Sequence, residues 1–378
     1  MEKRQMKKVG LNTSLLGFGC MRFPVTEDGK IIEAEAEKLL DRAIAAGVNY
    51  LDTAYPYHGG QSESFVGRVL KKYDRESLYV VTKMPMWNLS SLEDAKRIFA
   101  EQQEKLQTEY FDFYLLHSMG RKLWDKALEL GVVDFLEEQW KAGVIRNFGF
   151  SFHDSYEVFE EILNYRDWDF CQIQLNYMDV DLQAGMRGYQ LAQEKGIPLV
   201  IMEPIKGGSL AVVSEDIREM LDELDPKAST ASFALRWVGS LPGVKVILSG
   251  MSTMEQVEDN IKTFTDFKPL TKKEEETIVK IRETMRARVQ NGCTGCGYCM
   301  PCPAGVNIPE NFRTWNTYHM YHNYNMVKDR WENHLGQETK PKNCIECGKC
   351  EQACPQKISI REDLKKVQED LDKKEYVI

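Results

Sequence analysis

Asp52, Tyr57, Lys83 and His117 are the residues of this sequence whose types could together move a proton. Each closes or follows a short apolar run. The three segments are Leu51-Asp52-Thr53-Ala54-Tyr55-Pro56-Tyr57, Val80-Val81-Thr82-Lys83 and Tyr114-Leu115-Leu116-His117. A tyrosine is a weak acid with an ordinary pKa near 10. A neighbouring ammonium favours the phenolate, an aspartate holds the ammonium in place, and a neutral imidazole can orient a carbonyl oxygen. Those roles amount to proton donation to a carbonyl oxygen while hydride reaches its carbon. Singly, each residue has an ordinary structural reading: a packed histidine, a solvated lysine at a strand edge, an aspartate capping a turn. Four of them on three successive runs are harder to dismiss.

The elements that must bring them together follow from the periodicity. Strand-like runs are expected at Leu15–Arg22, Val48–Ala54, Leu78–Met84, Phe111–His117, Asn147–Phe152, Phe170–Tyr177, Pro198–Pro204 and Val244–Gly250. Between them lie helical spacings such as Leu92, Ala95, Ile98, Phe99 and Leu106. Gly47, Gly143 and Gly196 stand where helices should stop before the next strand. Strands alternating with helices predict parallel βαβ units. Eight such units in about 250 residues are the count and size of a (β/α)8 TIM barrel. An open doubly wound sheet is the poorer reading, because no GxGxxG follows the first strand. Barrel active sites form at the C-terminal ends of the strands, which is where the four residues stand. Trp87 and Trp124, expected in loops after the third and fourth strands, either line a substrate pocket or cover the core.

At these residues the chain resembles the aldo/keto reductase family. The matching segments are Gly17-Phe18-Gly19, LDTAYPYHGGQSE (51–63), VVTKMP (80–85), FDFYLLHS (111–118), GVIRNFGFS (143–151) and QIQLNY (172–177). The resemblance implies that Asp52, Tyr57, Lys83 and His117 are a catalytic tetrad with Tyr57 as proton donor. It implies a nicotinamide dinucleotide extended across the barrel mouth. Ser151 and Gln172 would then hold its carboxamide and Asn260 would contact the adenine side. Three positions depart from the family's pattern. Phe152, followed by His153, replaces an asparagine; Met202 replaces the aromatic residue that stacks on the nicotinamide; Gln256 replaces an arginine for the 2′-phosphate. A methionine covers a ring face less rigidly than an aromatic ring, and a glutamine lacks the guanidinium's match to phosphate. Ser249 and its neighbours in SGMST (249–253) offer hydroxyl and backbone donors instead, and NAD and NADP both stay open.

Eight of the ten cysteines fall between Cys293 and Cys354. Cys293, Cys296, Cys299 and Cys302 form one run, closed by Pro303; Cys344, Cys347, Cys350 and Cys354 form a second, closed by Pro355. The second run is the bacterial ferredoxin pattern for a [4Fe-4S] cluster, in which the fourth thiolate ligates the other cluster. Two [4Fe-4S] clusters are therefore expected. Cys293, Cys296, Cys299 and Cys354 hold one; Cys344, Cys347, Cys350 and Cys302 hold the other. Disulfides are disfavoured in a reducing cytoplasm, and zinc would want two CxxC pairs rather than two runs of four. Cys20 and Cys171 read as buried thiols on barrel strands. Between the runs, Phe312, Trp315, Tyr318, Tyr321, Tyr324 and Trp331 form either a packed aromatic face or a docking surface for a redox partner.

The 378 residues divide accordingly: a barrel over 1–270, a charged linker helix over 271–290 and a mainly helical ferredoxin-like iron–sulfur domain over 291–378. A further helix is expected over 361–378. The formal net charge of −9 argues against nucleic acid. No apolar run approaches the roughly 18 residues of a membrane span, and the basic start lacks a signal-peptide core, so no membrane association and a cytoplasmic location are expected. Two functions compete. One is an oxidoreductase that interconverts an aldehyde or ketone and an alcohol, with ferredoxin or another redox protein as partner. The other is an electron-transfer or redox-sensing protein whose barrel has little or no hydride chemistry. Hydride carries two electrons and a cluster passes one. Clusters that take part in turnover would therefore require a flavin, or another two-to-one electron switch, in the barrel or on a partner.

Overall fold

The computed structural model describes residues 1–374; residues 375–378, at the end of the expected final helix, lie outside the described residues. The described residues form ten strands: β1 Lys3–Met6, β2 Leu11–Ser14, β3 Leu16–Gly19, β4 Tyr50–Asp52, β5 Tyr79–Met84, β6 Phe113–Met119, β7 Phe148–Phe152, β8 Phe170–Gln174, β9 Leu199–Met202 and β10 Val244–Ser249. Strands β3 to β10 close into a parallel barrel in chain order, with β10 pairing back onto β3. Seven of the eight expected runs contain one of these strands, and the fourth overlaps β6, which runs two residues further to Met119. The hairpin β1–β2, antiparallel from Lys3↔Ser14 to Met6↔Leu11, was not expected. Its Met6 and Leu11 pack with Phe113, Phe170 and Val246 inside the barrel.

Strand alternation sorts the barrel residues into an inner and an outer set. Tyr50, Val81, Phe113, Leu115, Phe170, Val200, Val246 and Leu248 fill the interior. Their neighbours Leu51, Val80, Leu116, Cys171, Ile201 and Ile247 pack outward under the helices. Two residues further along each strand, the same inward face carries Asp52, Lys83, His117, Gln172 and Met202. Parallel strands end together, so these side chains arrive at one mouth. A register shift between Leu116 and Met119, with Ser118 at φ 57°, makes a bulge at His117; bulges re-aim side chains at barrel rims.

The chain divides into two compact units. Residues 1–207 and 231–270 make the barrel unit; Gly208–Thr230 joins the chain from Thr271 onward in the second. The segment 208–230, which falls inside the barrel range on sequence grounds, thus clusters with the second unit. There its helix Glu215–Asp222 packs on helix Lys272–Ala287, and Arg288 reaches Ser214 Oγ (3.0 Å) and Asp216 Oδ2 (2.5 Å). Helices Ile308–Tyr321 and Ile360–Lys373 enclose the core of this unit. Ile360, Leu364, Val367 and Leu371 recur at helical spacing and are all buried, each worth roughly 1.5–3 kcal/mol of transfer free energy. Phe312, Trp315, Tyr318, Tyr321, Tyr324 and Trp331 are buried as well, so of their two expected roles they take packing. Among the described residues no helix is long and apolar enough to cross a membrane.

Candidate functional site

Lys83 stands at the centre of the barrel mouth, fully buried. Its Nζ donates to Asp52 Oδ1 at 2.6 Å, to the Thr53 carbonyl at 2.7 Å and to the Tyr57 hydroxyl at 3.2 Å. Tyr57 is brought back over the mouth by the turn Tyr57–Gly60, in which His58, Gly59 and Gly60 have φ of 53°, 62° and 90°. Two of those three left-handed positions are glycine, which adopts such φ without strain. The His58 Nε2 accepts the Phe23 N–H and ties the turn to the barrel. The His117 ring lies 6.1 Å from the Tyr57 ring, edge to face, and 4.8 Å from Trp87. All four expected residues therefore meet in one place. Trp87 lines it, 45% exposed, whereas Trp124 is buried in helix Arg121–Glu129 against Tyr165 and Trp168.

The electrostatics correct one expectation. Burial raises the Tyr57 pKa above the ordinary tyrosine value, against the pull of the Lys83 ammonium, and the Asp52 charge adds to the rise. The ammonium does not win: desolvating a phenolate costs more than this pairing returns, and the hydroxyl keeps its proton. Burial lowers the Lys83 pKa, but Asp52 and Tyr57 carry it above the ordinary lysine value, so the ammonium stays charged. Burial likewise lifts the Asp52 carboxyl, opposed by Lys83. Burial, then the charge on Lys83, holds His117 well below the ordinary imidazole range. A neutral ring follows, and its buried Nδ1 has no partner among the described residues.

Around this centre lie the expected cofactor contacts. Ser151 Oγ accepts the Ser118 N–H at 2.8 Å. Gln172 Nε2 approaches Met202 Sδ at 3.5 Å, while the buried Gln172 Oε1 has no partner among the described residues. An acceptor left bare in this way suits an amide N–H donor, as a carboxamide would supply. Asn260 Nδ2 donates to Ser249 Oγ at 2.9 Å. Gln256 is spent on its own helix: its Oε1 accepts the Ser252 and Thr253 N–H groups in a capping box. A cation nevertheless stands at this end. Arg22 packs its stem across Gly250, where a Cβ would meet Arg22 Cγ at 2.6 Å, and its guanidinium forms no ion pair among the described residues.

Sequence reasoning missed the support behind Lys83. Gln102 Nε2 donates to the Lys83 carbonyl (3.0 Å), Glu63 Oε1 (2.7 Å) and Thr82 Oγ1 (3.0 Å), and Gln102 Oε1 accepts the Tyr114 hydroxyl. Thr82 in turn donates to Glu63 at 2.6 Å. The available signal was Gln102 itself, a polar residue in line with Ala95, Ile98, Phe99 and Leu106 on the buried face of helix Leu92–Leu106.

In the second unit the eight cysteines border two cavities. Cys302, Cys344, Cys347 and Cys350 line one; Cys293, Cys296 and Cys354 line the other, and Cys299 touches both. The electrostatic neighbours of Cys299 are Cys293, Cys296 and Cys354, and Cys344 is a neighbour of Cys350. This is the crossed grouping expected for two ferredoxin-type clusters. Among the described residues no three His, Cys, Asp or Glu side chains converge as around a single ion. A cluster takes its thiolates on separate irons. Cys20 and Cys171 are both buried, and burial raises both thiols.

Comparison with known proteins agrees with this geometry. Residues 15–283 match the aldo/keto reductase family and residues 292–358 match the 4Fe-4S dicluster domain. The uncharacterized oxidoreductase YqkF of Bacillus subtilis is 26% identical over 290 residues, covering 69% of this chain and 90% of its own. The NADH-specific methylglyoxal reductase of Escherichia coli is 25% identical over 259 residues, 57% of this chain and 78% of its own. Among solved structures, the holo form of the aldo-keto reductase AKR11C1 from Bacillus halodurans is 28% identical, covers 74% of this chain and 96% of its own, and superposes with a TM-score of 0.62.

Proposed function

The chain belongs to the aldo/keto reductase family, and from that premise we propose that it interconverts an aldehyde or ketone and an alcohol, with Tyr57 as the proton donor. The observation that carries this reading is the chain of contacts Asp52–Lys83–Tyr57 with a neutral His117 beside it, buried in one mouth. A nicotinamide dinucleotide bound there supplies the hydride. The protein's own groups do the rest. The Tyr57 hydroxyl gives its proton to the carbonyl oxygen, and Lys83 stabilises the phenolate left behind. Asp52 keeps Lys83 in place, and His117 orients the carbonyl.

For the cofactor, Ser151 and Gln172 hold the carboxamide and Met202 covers the ring face. Ser249 and Asn260 serve the adenine side, and Arg22 adds a cation for its phosphates. This reading is supported by the Gln172 Oε1 that has no partner, and the Arg22 guanidinium that forms no ion pair, among the described residues. The second unit holds two [4Fe-4S] clusters, on Cys293, Cys296, Cys299 and Cys354 and on Cys344, Cys347, Cys350 and Cys302; these pass electrons singly. Because hydride moves as a pair, a flavin or a partner protein divides the pair if the clusters join in turnover.

Tyr57→Phe tests the assignment. Carbonyl reduction should fall by roughly 10²–10⁴-fold, as loss of a general acid does. Dinucleotide binding, followed by tryptophan fluorescence, and iron content should stay as in the wild type. Unchanged turnover would remove Tyr57 from the chemistry and leave the electron-transfer reading.

A further inference from the structure

The two cysteine cavities differ in the side chains that line them. Three exposed apolar side chains, Tyr298, Met300 and Ile345, at 69%, 37% and 65% exposure, line the cavity of Cys302, Cys344, Cys347 and Cys350. Among the described residues Lys349 and Arg361 are the charged ones of its lining, and no acid lines it. Among the described residues the other cavity has no charged lining residue and no large exposed apolar side chain; Phe312 and Ile360 of its lining belong to the buried core. Exposed apolar groups gathered at one place and rimmed by charge mark an interaction site rather than scattered surface. Tyrosine, methionine and arginine are enriched in such sites.

The charge says what fits. Arg361 is shared with Glu351 and Lys365 with Glu346, while Lys349 forms no ion pair among the described residues. From Lys340 to Lys366, basic residues outnumber acidic ones seven to four, in a chain of formal net charge −9. An occupied cluster with its four thiolates brings negative charge of its own, so an acidic partner, repelled by most of the chain, is drawn to the basic rim of Lys349 and Arg361 rather than to the stretch as a whole.

We propose that this face is the electron port: a small acidic one-electron carrier of the ferredoxin class docks on Tyr298, Met300 and Ile345 within reach of Lys349. One electron leaves the reduced carrier and enters the cluster held by Cys302, Cys344, Cys347 and Cys350; no bond is made or broken and no proton moves. The inference rests on cluster occupancy as read above, not on the barrel's chemistry. It makes these four cysteines the entry and leaves Cys293, Cys296, Cys299 and Cys354 as the second station.

The test uses the full chain purified without oxygen, as wild type and as Ile345→Glu, Lys349→Glu and Tyr298→Glu. Iron content and cluster absorbance are measured first; absence of iron in the wild type defeats the cluster reading rather than the port. In each variant with full iron, stopped-flow absorbance follows cluster reduction by a reduced plant-type [2Fe–2S] ferredoxin and, separately, by dithionite. Ferredoxin should reduce the variants about ten-fold more slowly, and raised salt should slow the wild type, while dithionite rates stay equal. Equal ferredoxin rates in wild type and variants overturn the proposal, as does equal slowing of both reductants. A wild-type dimer dissociated by Ile345→Glu, with the ferredoxin rate unchanged, overturns it in favour of a second copy of this chain.

Discussion

A phenol serves as a general acid only while it holds its proton, and a buried one holds it longer. Burial outweighs the Lys83 ammonium at Tyr57 and raises its pKa above 10, the ordinary tyrosine value. Burial and the same ammonium keep His117 neutral to well below pH 6.5. The sign of the pH dependence follows. Carbonyl reduction needs Tyr57 protonated and His117 neutral, so kcat/KM should be level from about pH 6.5 to 9. It should decline only as rising pH passes the elevated Tyr57 pKa. An acid limb near pH 6.5 that vanishes in His117→Asn would show instead that the ring gains a proton in the mouth. These four residues were legible in the sequence because Asp52, Lys83 and His117 end apolar runs, where strand alternation decides which way each side chain points, and Tyr57 follows the first of them in a turn. Glu63 and Gln102 were not, because a buried amide on an apolar helical stripe has no meaning until the strand behind it is known.

At the scale of elements, the site depends on how closely the shell helices approach one another. Helices Ser62–Leu70 and Leu92–Leu106 cross at Gly67, where a Cβ would stand 2.3 Å from the Lys105 carbonyl oxygen and 2.9 Å from the Leu106 backbone. Alanine at a helical position ordinarily gains about 1 kcal/mol over glycine. Here the obstruction is backbone, which cannot swing aside, and overpacking of this kind costs about 1–3 kcal/mol. The clash should win. Gly67→Ala is expected to lower the urea midpoint and also turnover, because the displaced helix carries Gln102, which holds the Lys83 carbonyl. A variant as stable as the wild type would show slack in this crossing. The eight barrel strands could be read from their β-branched or aromatic runs. The hairpin β1–β2 could not, since Lys3, Arg4, Lys7 and Lys8 mask its short apolar pattern. The aromatic stretch at 312–331 left two readings open, because helical spacing states which residues share a face and not what covers that face.

At the scale of the molecule, the path of the chain ties the 4Fe-4S dicluster domain to the barrel. After β9, which carries Met202, the chain leaves the barrel unit at Gly208, passes through the second unit and returns at Ala231, ahead of β10. Arg288 and helix Lys272–Ala287 hold that excursion within the second unit. Partly buried cysteines, Cys293, Cys299, Cys302, Cys344 and Cys350, pack against the core of the same unit, and metal binding at such sites is coupled to folding. Stripping the iron should therefore loosen more than the segment that bears the cysteines. On limited trypsin digestion of the stripped protein, cuts at Arg218 and Lys227 should appear together with cuts beyond residue 290, while fragments from residues 1–207 persist. Holoprotein should resist at both places. If Arg218 and Lys227 stay as protected without iron as with it, the excursion is held independently of the clusters. Earlier cleavage there, before any cut beyond residue 290, would show that segment 208–230 is the weaker part of its unit. Joint release, by contrast, would make the loop that follows Met202 answer to the state of the iron sites through the covalent chain itself.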